Sequence, residues 1–537
     1  MFPPTATLIS RLPQDALYEI FSFIAVPVLQ TTPGWEPQVT FPKGRSQSHL
    51  RPLSVLRKGS QVCRTWRKML LDSPVLWGRA IDFDVLVFAD NEWREEVTKR
   101  TKTAPLFVTG SLDKTTDKIL SSFLAKYWSR VEVLEIHSEQ SWPGPDGYVF
   151  SPNDWSFLAQ PTNTIKHFVL KIPTTSDMDH QLFSGNAPSI RFFSTHRIFH
   201  HINPSWAANL HHLEIQIVAT YHEPRLTAQE IFSALMVAHT LEVLILVGSL
   251  EEKPAGRLQK INLPNLRHIT INDTVFACNT VLGNITARRG CCLSVDACDE
   301  PDFVDATPDD LLTTRDLCMG YFTQYYELHA PQESHFQISD LKDSHFLAIT
   351  PSENRPIDTQ EGSSEGFAVM IDASMTSTRT PRNFVEGLVG LDFSSIISLD
   401  LEMDPEEVEP SSPYFLSFLS SFGSVTTLMT NLQTLDSVLN HLPSFEPLKT
   451  PLFPSLVTLK ICTSYDPVSM DLETLQPVLS FLQRRSDLRK AIQILDLADL
   501  FRYPYIHQND ESNDASNVVA KIEGLDVLWT KPVNILV

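Results

Sequence analysis

The chain has 537 residues, with 43 Lys and Arg against 64 Asp and Glu, a formal net charge of −21. That acidity repels polyphosphate and makes nucleic acid and anionic membrane poor partners. A composition 42% hydrophobic and 20% charged excludes wholesale disorder, and 37 Pro against 19 Gly suit short elements joined by turns rather than glycine-rich nucleotide loops.

Arg11, Asp15 and Glu19 interrupt every N-terminal window that could form a secretory apolar core. No stretch approaches the roughly 18 apolar residues that a membrane helix requires. The seven cysteines are an odd number and include no C-x-x-C pair, which fits reduced thiols in the cytoplasm or nucleus and no structural zinc. No cofactor or metal is expected.

In chain order, the spacing first predicts an amphipathic helix over Pro13–Ile24, with Leu17, Ile20, Phe21 and Ile24 on one stripe and Pro13 at the first helical position. A polar, proline-rich stretch follows from Gln30 to His49. Then SQVCRTWRKMLLDSPVLW carries a second stripe of Val62, Trp66, Met69 and Leu70, a stop at Pro74, and the large apolar pair Leu76 and Trp77.

The series LP-x-x-x-L-x-x-IF, VCR-x-WR and D-x-P-x-LW resembles an F-box, and its long spacer is similar to those of F-box proteins of mushroom-forming fungi. Ala16 departs from the bulkier or acidic residue usual before the leucine. The resemblance implies a three-helix all-α module over residues 8–82 that docks on the Skp-type linker of cullin ubiquitin ligases. Leu12, Pro13, Leu17, Ile20 and Phe21 would face the linker, and Val62, Cys63, Trp66, Leu76 and Trp77 would complete the module and part of that face. A module this small leaves apolar surface for a partner.

After a connecting segment at 83–125, the pattern apolar-x-x-apolar-x-apolar recurs from 126 to 537. Copies begin at Val131, Ile165, Leu210, Leu241, Leu266, Ile396, Leu456 and Ile492, with weaker ones at Ile190, Cys292 and Val425. Outside the stretch from Cys292 to Ile396 they recur every 20–36 residues. Helix-like stretches lie between several of them. This alternation predicts an α/β solenoid of parallel strands with helices outside, and it resembles degenerate leucine-rich repeats, lacking the asparagine that ladders the turns of the standard repeat. Between Cys292 and Ile396 the count fails, although HFLAIT and FAVMID read as strands of a degenerate or inserted region. Acidic inserts near 351–366, 404–413 and 508–517 read as surface loops.

Strand alternation assigns Val133, Glu135 and His137, Glu214 and Gln216, Val243 and Ile245, and His268, Thr270 and Asn272 to a concave face. Ser398, Asp400, Glu402, Thr458, Lys460 and Asp496 extend it, with an acidic C-terminal half suited to a basic segment of a target protein. Catalysis has no support. Gly362–Gly366 matches G-x-S-x-G around Ser364 only within a polar loop. His196, His200 and His201 have helical spacing but no glutamate to complete a metal motif. The resulting expectation is a non-catalytic substrate adaptor of a Skp–cullin–F-box ligase. An F-box scaffold that does not direct ubiquitination is the alternative.

Overall fold

The computed structural model describes residues 12–25, 51–138, 152–177, 181–217, 225–250, 258–298, 307–330, 333–340, 344–350, 367–372, 386–403, 412–440, 452–462, 475–498 and 524–528. The chain divides into two units, one of Met1–Thr270 with Asn284–Arg288, the other of Ile271–Gly283 with Arg289–Val537.

The first unit opens with four helices, α1 (Gln14–Ala25), α2 (Pro52–Gly59), α3 (Arg64–Leu71) and α4 (Pro74–Arg79). Pro13 lies one position before α1, where its carbonyl takes the Leu17 amide, and Leu17, Phe21 and Ala25 are buried at a spacing of four. Pro74 starts a helix as well as ending one. It occupies the first turn of α4, where a missing N–H leaves no bond unmade. Trp77 is sealed behind it, with Nε1 donating to the Leu70 carbonyl at 2.8 Å. Gly78 is glycine for lack of space, since a Cβ there would overlap the Pro105 carbonyl.

The sheet begins earlier than the repeat pattern does. Strands β1 (Ile81–Asp82) and β2 (Leu106–Ser111) precede β3 (Val131–His137), and both pairings are parallel. The segment expected to connect two regions therefore contributes to the sheet, along with the short helices α5 (Phe83–Leu86) and α6 (Asn91–Arg100) and the longer α7 (Thr116–Tyr127). Strands β4 (His167–Asp177), β5 (Phe192–Phe199), β6 (His212–Gln216) and β7 (Val243–Val247) follow in parallel register. The helices α8 (Pro204–Ala207) and α9 (Ala228–Leu235) flank β6 in sequence, and the capping box of Thr227 and Glu230 fixes the start of α9. A short pair, β8 (Ile261–Leu263) and β10 (Ile285–Ala287), stands apart from the main sheet, and β9 (His268–Thr274) and α10 (Val275–Asn284) lie between them in sequence.

The turns leading into these strands carry a polar ladder. Ser189 Oγ donates to the Asn163 carbonyl, Asn209 Nδ2 to Pro188, Thr240 Oγ1 to Leu210 and Asn265 Nδ2 to His239, at 2.7–3.0 Å. The next residues, Ile190, Leu210, Leu241 and Leu266, are fully buried. A laddered turn is thus present, made by Ser, Thr and Asn before the strand rather than by asparagine alone. We expect Asn209→Ala to cost about 1 kcal/mol in a urea titration, the usual worth of one bond to a backbone carbonyl.

In the second unit, β11 (Cys292–Cys298) is followed by α11 (Pro308–His329), begun by the capping box of Thr307 and Asp310. Strands β12 (Glu333–Asp340), β13 (Ser344–Thr350) and β14 (Phe367–Asp372) come next, and here the expectation of parallel strands fails. β12 with β13 and β13 with β14 are antiparallel, while β14 rejoins β11 and β12 rejoins β15 (Ser398–Met403) in parallel. Both strand directions share a side-chain period of two, so the pattern within HFLAIT and FAVMID could identify strands but not their direction. Parallel pairing resumes through β16 (Thr427–Asn431), β17 (Thr458–Cys462), β18 (Ile494–Asp496) and β19 (Asp526–Leu528), interleaved in sequence with α12 (Pro413–Ser420) and α13 (Gln476–Asp487). The predicted inserts at 351–366 and 508–517 lie outside the described residues, as does 404–413 apart from Ser412 and Pro413.

Candidate binding surfaces

Two surfaces gather the residues singled out by the sequence. On the N-terminal helices the structure separates a buried set from an exposed one. Leu17, Phe21, Leu76 and Trp77 are enclosed by their own chain, so these four hold the helices together and offer no outward face. Phe21 meets the half-buried Trp66 edge-on at 5.1 Å between ring centroids. Pro13 and Cys63 are exposed, and Cys63 Sγ caps α3 by accepting the Trp66 amide. Leu12, Ile20 and Val62 also face outward, Val62 at 63% exposure. Val62 precedes α3 rather than belonging to its stripe.

Phe23, at 79% exposure, is an outward apolar side chain that the sequence reading missed. It lies three residues beyond Ile20, so the two are neighbours on the surface of α1. The signal was available as a second apolar row on the same helix. Phe23 and Ile20 together place exposed apolar surface on this short helix.

Beneath these helices, Arg51 Nη1 contacts Asp82 at 3.0 Å and Asp84 at 2.7 Å. Burial pushes the Asp82 carboxyl up to about 6 against the pull of the Arg51 guanidinium.

The second surface is the outward side of the parallel sheet in the first unit. Leu134, Ile136, Leu213, Ile215, Leu244 and Leu246, on one side of the strands, are fully buried. The opposite side, however, is only partly open. Glu135 and Glu214 are each 1% exposed, and Val133 and His268 are buried as well, so none of these four meets a partner directly. His137, Gln216 and Thr270 remain partly exposed.

The buried carboxylates are held by the side chains around them. His137 Nε2 donates to Glu135 Oε1 at 3.0 Å, with His167 Nε2 at 3.9 Å from the other oxygen. Glu214 accepts from His196 Nε2 at 2.6 Å, Ser194 Oγ at 2.7 Å and Gln216 Nε2 at 2.9 Å, with His212 Nε2 at 3.6 Å. Burial alone would raise the Glu214 carboxyl, but the bond from His196, the nearby His212 and the charges of His196 and Lys171 hold it well below the ordinary range. His167 and His212 sandwich the Phe192 ring at 4.3 and 3.9 Å between centroids. Burial, with the charges of His212 and His137, lowers His167 to about 3; burial beside His212 lowers His268 to about 4.

His196, His200 and His201 do not share a helix face. His196 is on β5 and bonds to Glu214, His200 is sealed in the core, and His201 bonds to Glu230 at 2.5 Å. Among the described residues no group of three or more His, Cys, Asp or Glu is arranged to hold a metal ion. Ser364 lies outside the described residues.

In the second unit the corresponding row runs Asp400, Met429, Lys460 and Asp496 across adjacent strands. Asp400 is buried, while Glu402 and Lys460 are partly exposed. No described helix is long and apolar enough to cross a membrane. Compared with known proteins, the chain matches no family model and none of the curated proteins.

Proposed function

We propose that the chain is a non-catalytic adaptor. The N-terminal helices act as an F-box that docks on a Skp-type linker, and through it on a cullin scaffold, while the sheet region, read as a degenerate leucine-rich-repeat array, holds a target protein. The observation that carries the reading is the pair of exposed apolar side chains Ile20 and Phe23 on α1, with exposed Leu12 just before that helix, where the F-box resemblance lies. Protein interfaces draw their energy from such aromatic and aliphatic anchors. The mechanism is proximity: a target held at one end and a ligase core at the other raise the effective concentration of target lysines near the conjugating enzyme. The adaptor itself supplies no nucleophile or base.

Affinity purification followed by mass spectrometry tests the reading. Wild type is expected to bring down the linker, and an Ile20→Glu/Phe23→Glu variant to lose it while keeping its unfolding midpoint, because both side chains are exposed. Equal recovery of the linker with both proteins would overturn the assignment.

A further inference from the structure

Residues 52–71, which form α2, α3 and the turn between them, carry the cations Arg57, Lys58, Arg64, Arg67 and Lys68 and none of the chain's 64 carboxylates. In a chain of net charge −21 the local sign is inverted. Arg57 is engaged with the Trp93 ring, at 5.0 Å from its centroid. Arg64, Arg67 and Lys68 recur at i, i+3 and i+4, so they form one exposed face of α3, with Met69 and Leu70 buried behind it. Arg67 Nε donates to the Ser60 carbonyl at 3.0 Å, which sets that face beside the turn carrying exposed Lys58 and Val62. Among the described residues none of these four cations makes an ion pair, and the ion pairs of the N-terminal helices belong to Arg51 and Arg100 instead. Arg64 stands at the first position of α3, and no acidic residue follows in the first turn. A cation at the positive end of a helix dipole weakens the helix, so local folding does not account for Arg64.

We propose that this face binds an acidic segment of the protein that docks on α1. The inference rests on the reading of these helices as a docking module, and it names the charge of the partner surface they take. Phe21 of α1 meets Trp66 of α3 edge-on, so a partner seated on Ile20 and Phe23 lies within reach of α3. Helix α3 is about 12 Å long, enough to face about four residues of extended chain. Carboxylates arriving there accept charge-assisted hydrogen bonds from Arg64, Lys58 and Lys68. Val62, at 63% exposure, adds an apolar contact that a polyphosphate does not use. Screening over about 8 Å at physiological salt confines the attraction to this face, while the charge of the whole chain opposes nucleic acid and anionic lipid.

Fluorescence anisotropy with the full chain tests this. The probes are labelled peptides of about twelve residues, in which Asp, Asn or Lys alternates with Ser around a central Leu, and a thymidine oligonucleotide carrying the charge of the Asp peptide. The Asp peptide is expected to bind at least about tenfold more tightly than the Asn peptide, more tightly than the oligonucleotide, and about tenfold more weakly once NaCl is raised to about 0.25 M. Lys58→Glu/Arg64→Glu/Lys68→Glu should lose the Asp peptide and gain the Lys peptide. Its unfolding midpoint should be unchanged, because all three side chains are exposed; Arg67 is kept because it braces the turn at Ser60. Purified linker should bind this triple variant about tenfold more weakly than wild type, whereas Ile20→Glu/Phe23→Glu should keep the Asp peptide. No binding of the Asp peptide, equal binding of the Asn peptide or the oligonucleotide, or unchanged linker affinity in the triple variant would overturn the proposal. A linker that fails to bind wild type while the Asp peptide binds would refute the docking reading and, with it, the linker as the source of the segment. Loss of the Asp peptide alone, with the linker still bound, would refute only the charged face.

Discussion

Replacing Arg51 with Ala should destabilise the first unit by about 3–5 kcal/mol, measured by urea denaturation, the usual result of removing one partner from a buried ion pair. Arg51 lies at 3.0 Å from Asp82 and 2.7 Å from Asp84, and Asp82 is almost fully buried. Without the guanidinium, Asp82 must stay protonated or remain charged beside Asp84. An Arg51→Met/Asp82→Asn double variant should recover much of the loss, because it removes both charges together. Because Asp82 forms part of the first strand, the Arg51 interaction ties the helical start of the chain to the sheet edge within the same unit. An Arg51→Ala protein as stable as wild type would show that this tie contributes nothing.

Acid should destabilise the protein well above the range where carboxylates titrate. Burial lowers His167 to about 3 and His200 and His268 to about 4. Below the ordinary histidine value the unfolded chain takes up three protons that the folded chain refuses, so stability falls as pH drops from about 6.5 towards 4. Asp82 acts in the opposite sense. Its carboxyl, pushed up to about 6, is protonated first in the folded state and offsets one of the three protons. The net of two protons gives a slope of about 3 kcal/mol per pH unit in that window. Glu214, held low, adds its own loss only below the ordinary carboxylate range. Urea titrations at pH 7, 6 and 5 check this, and His200→Leu should flatten the slope by about one proton. A stability that stays level from pH 7 to 5 would show that these histidines are not sealed as described.

The parts of the fold that could be read from the chain were those with a strict period. Leu213, Ile215, Leu244 and Leu246 alternate at two residues, and they point inward as alternation requires. The helices α9, α12 and α13 lie within the helix-like stretches between strand patterns. Alternation identifies a side of a sheet but not what covers it, so Glu135, Glu214, His268 and Asp400 were expected at a surface and are buried. The turn ladder escaped notice because Ser, Thr and Asn share one role there, that of a short donor reaching a carbonyl, and no single residue type repeats. On the N-terminal helices, the motif named Leu17, Phe21, Leu76 and Trp77 alongside Leu12 and Ile20, although burial separates the two groups. A family motif mixes residues that build a module with residues that present it. Only the packing tells them apart, and it adds Phe23.

The adaptor reading stands or falls on direct association between this chain and a Skp-type linker. Isothermal titration of the purified full chain with the purified linker of its source organism measures it. Wild type is expected to bind saturably at one to one, and Ile20→Glu/Phe23→Glu to lose at least about a hundredfold in affinity, the expected effect of placing two charges in an apolar interface. Absence of binding by wild type, or unchanged affinity in the double variant, would contradict it.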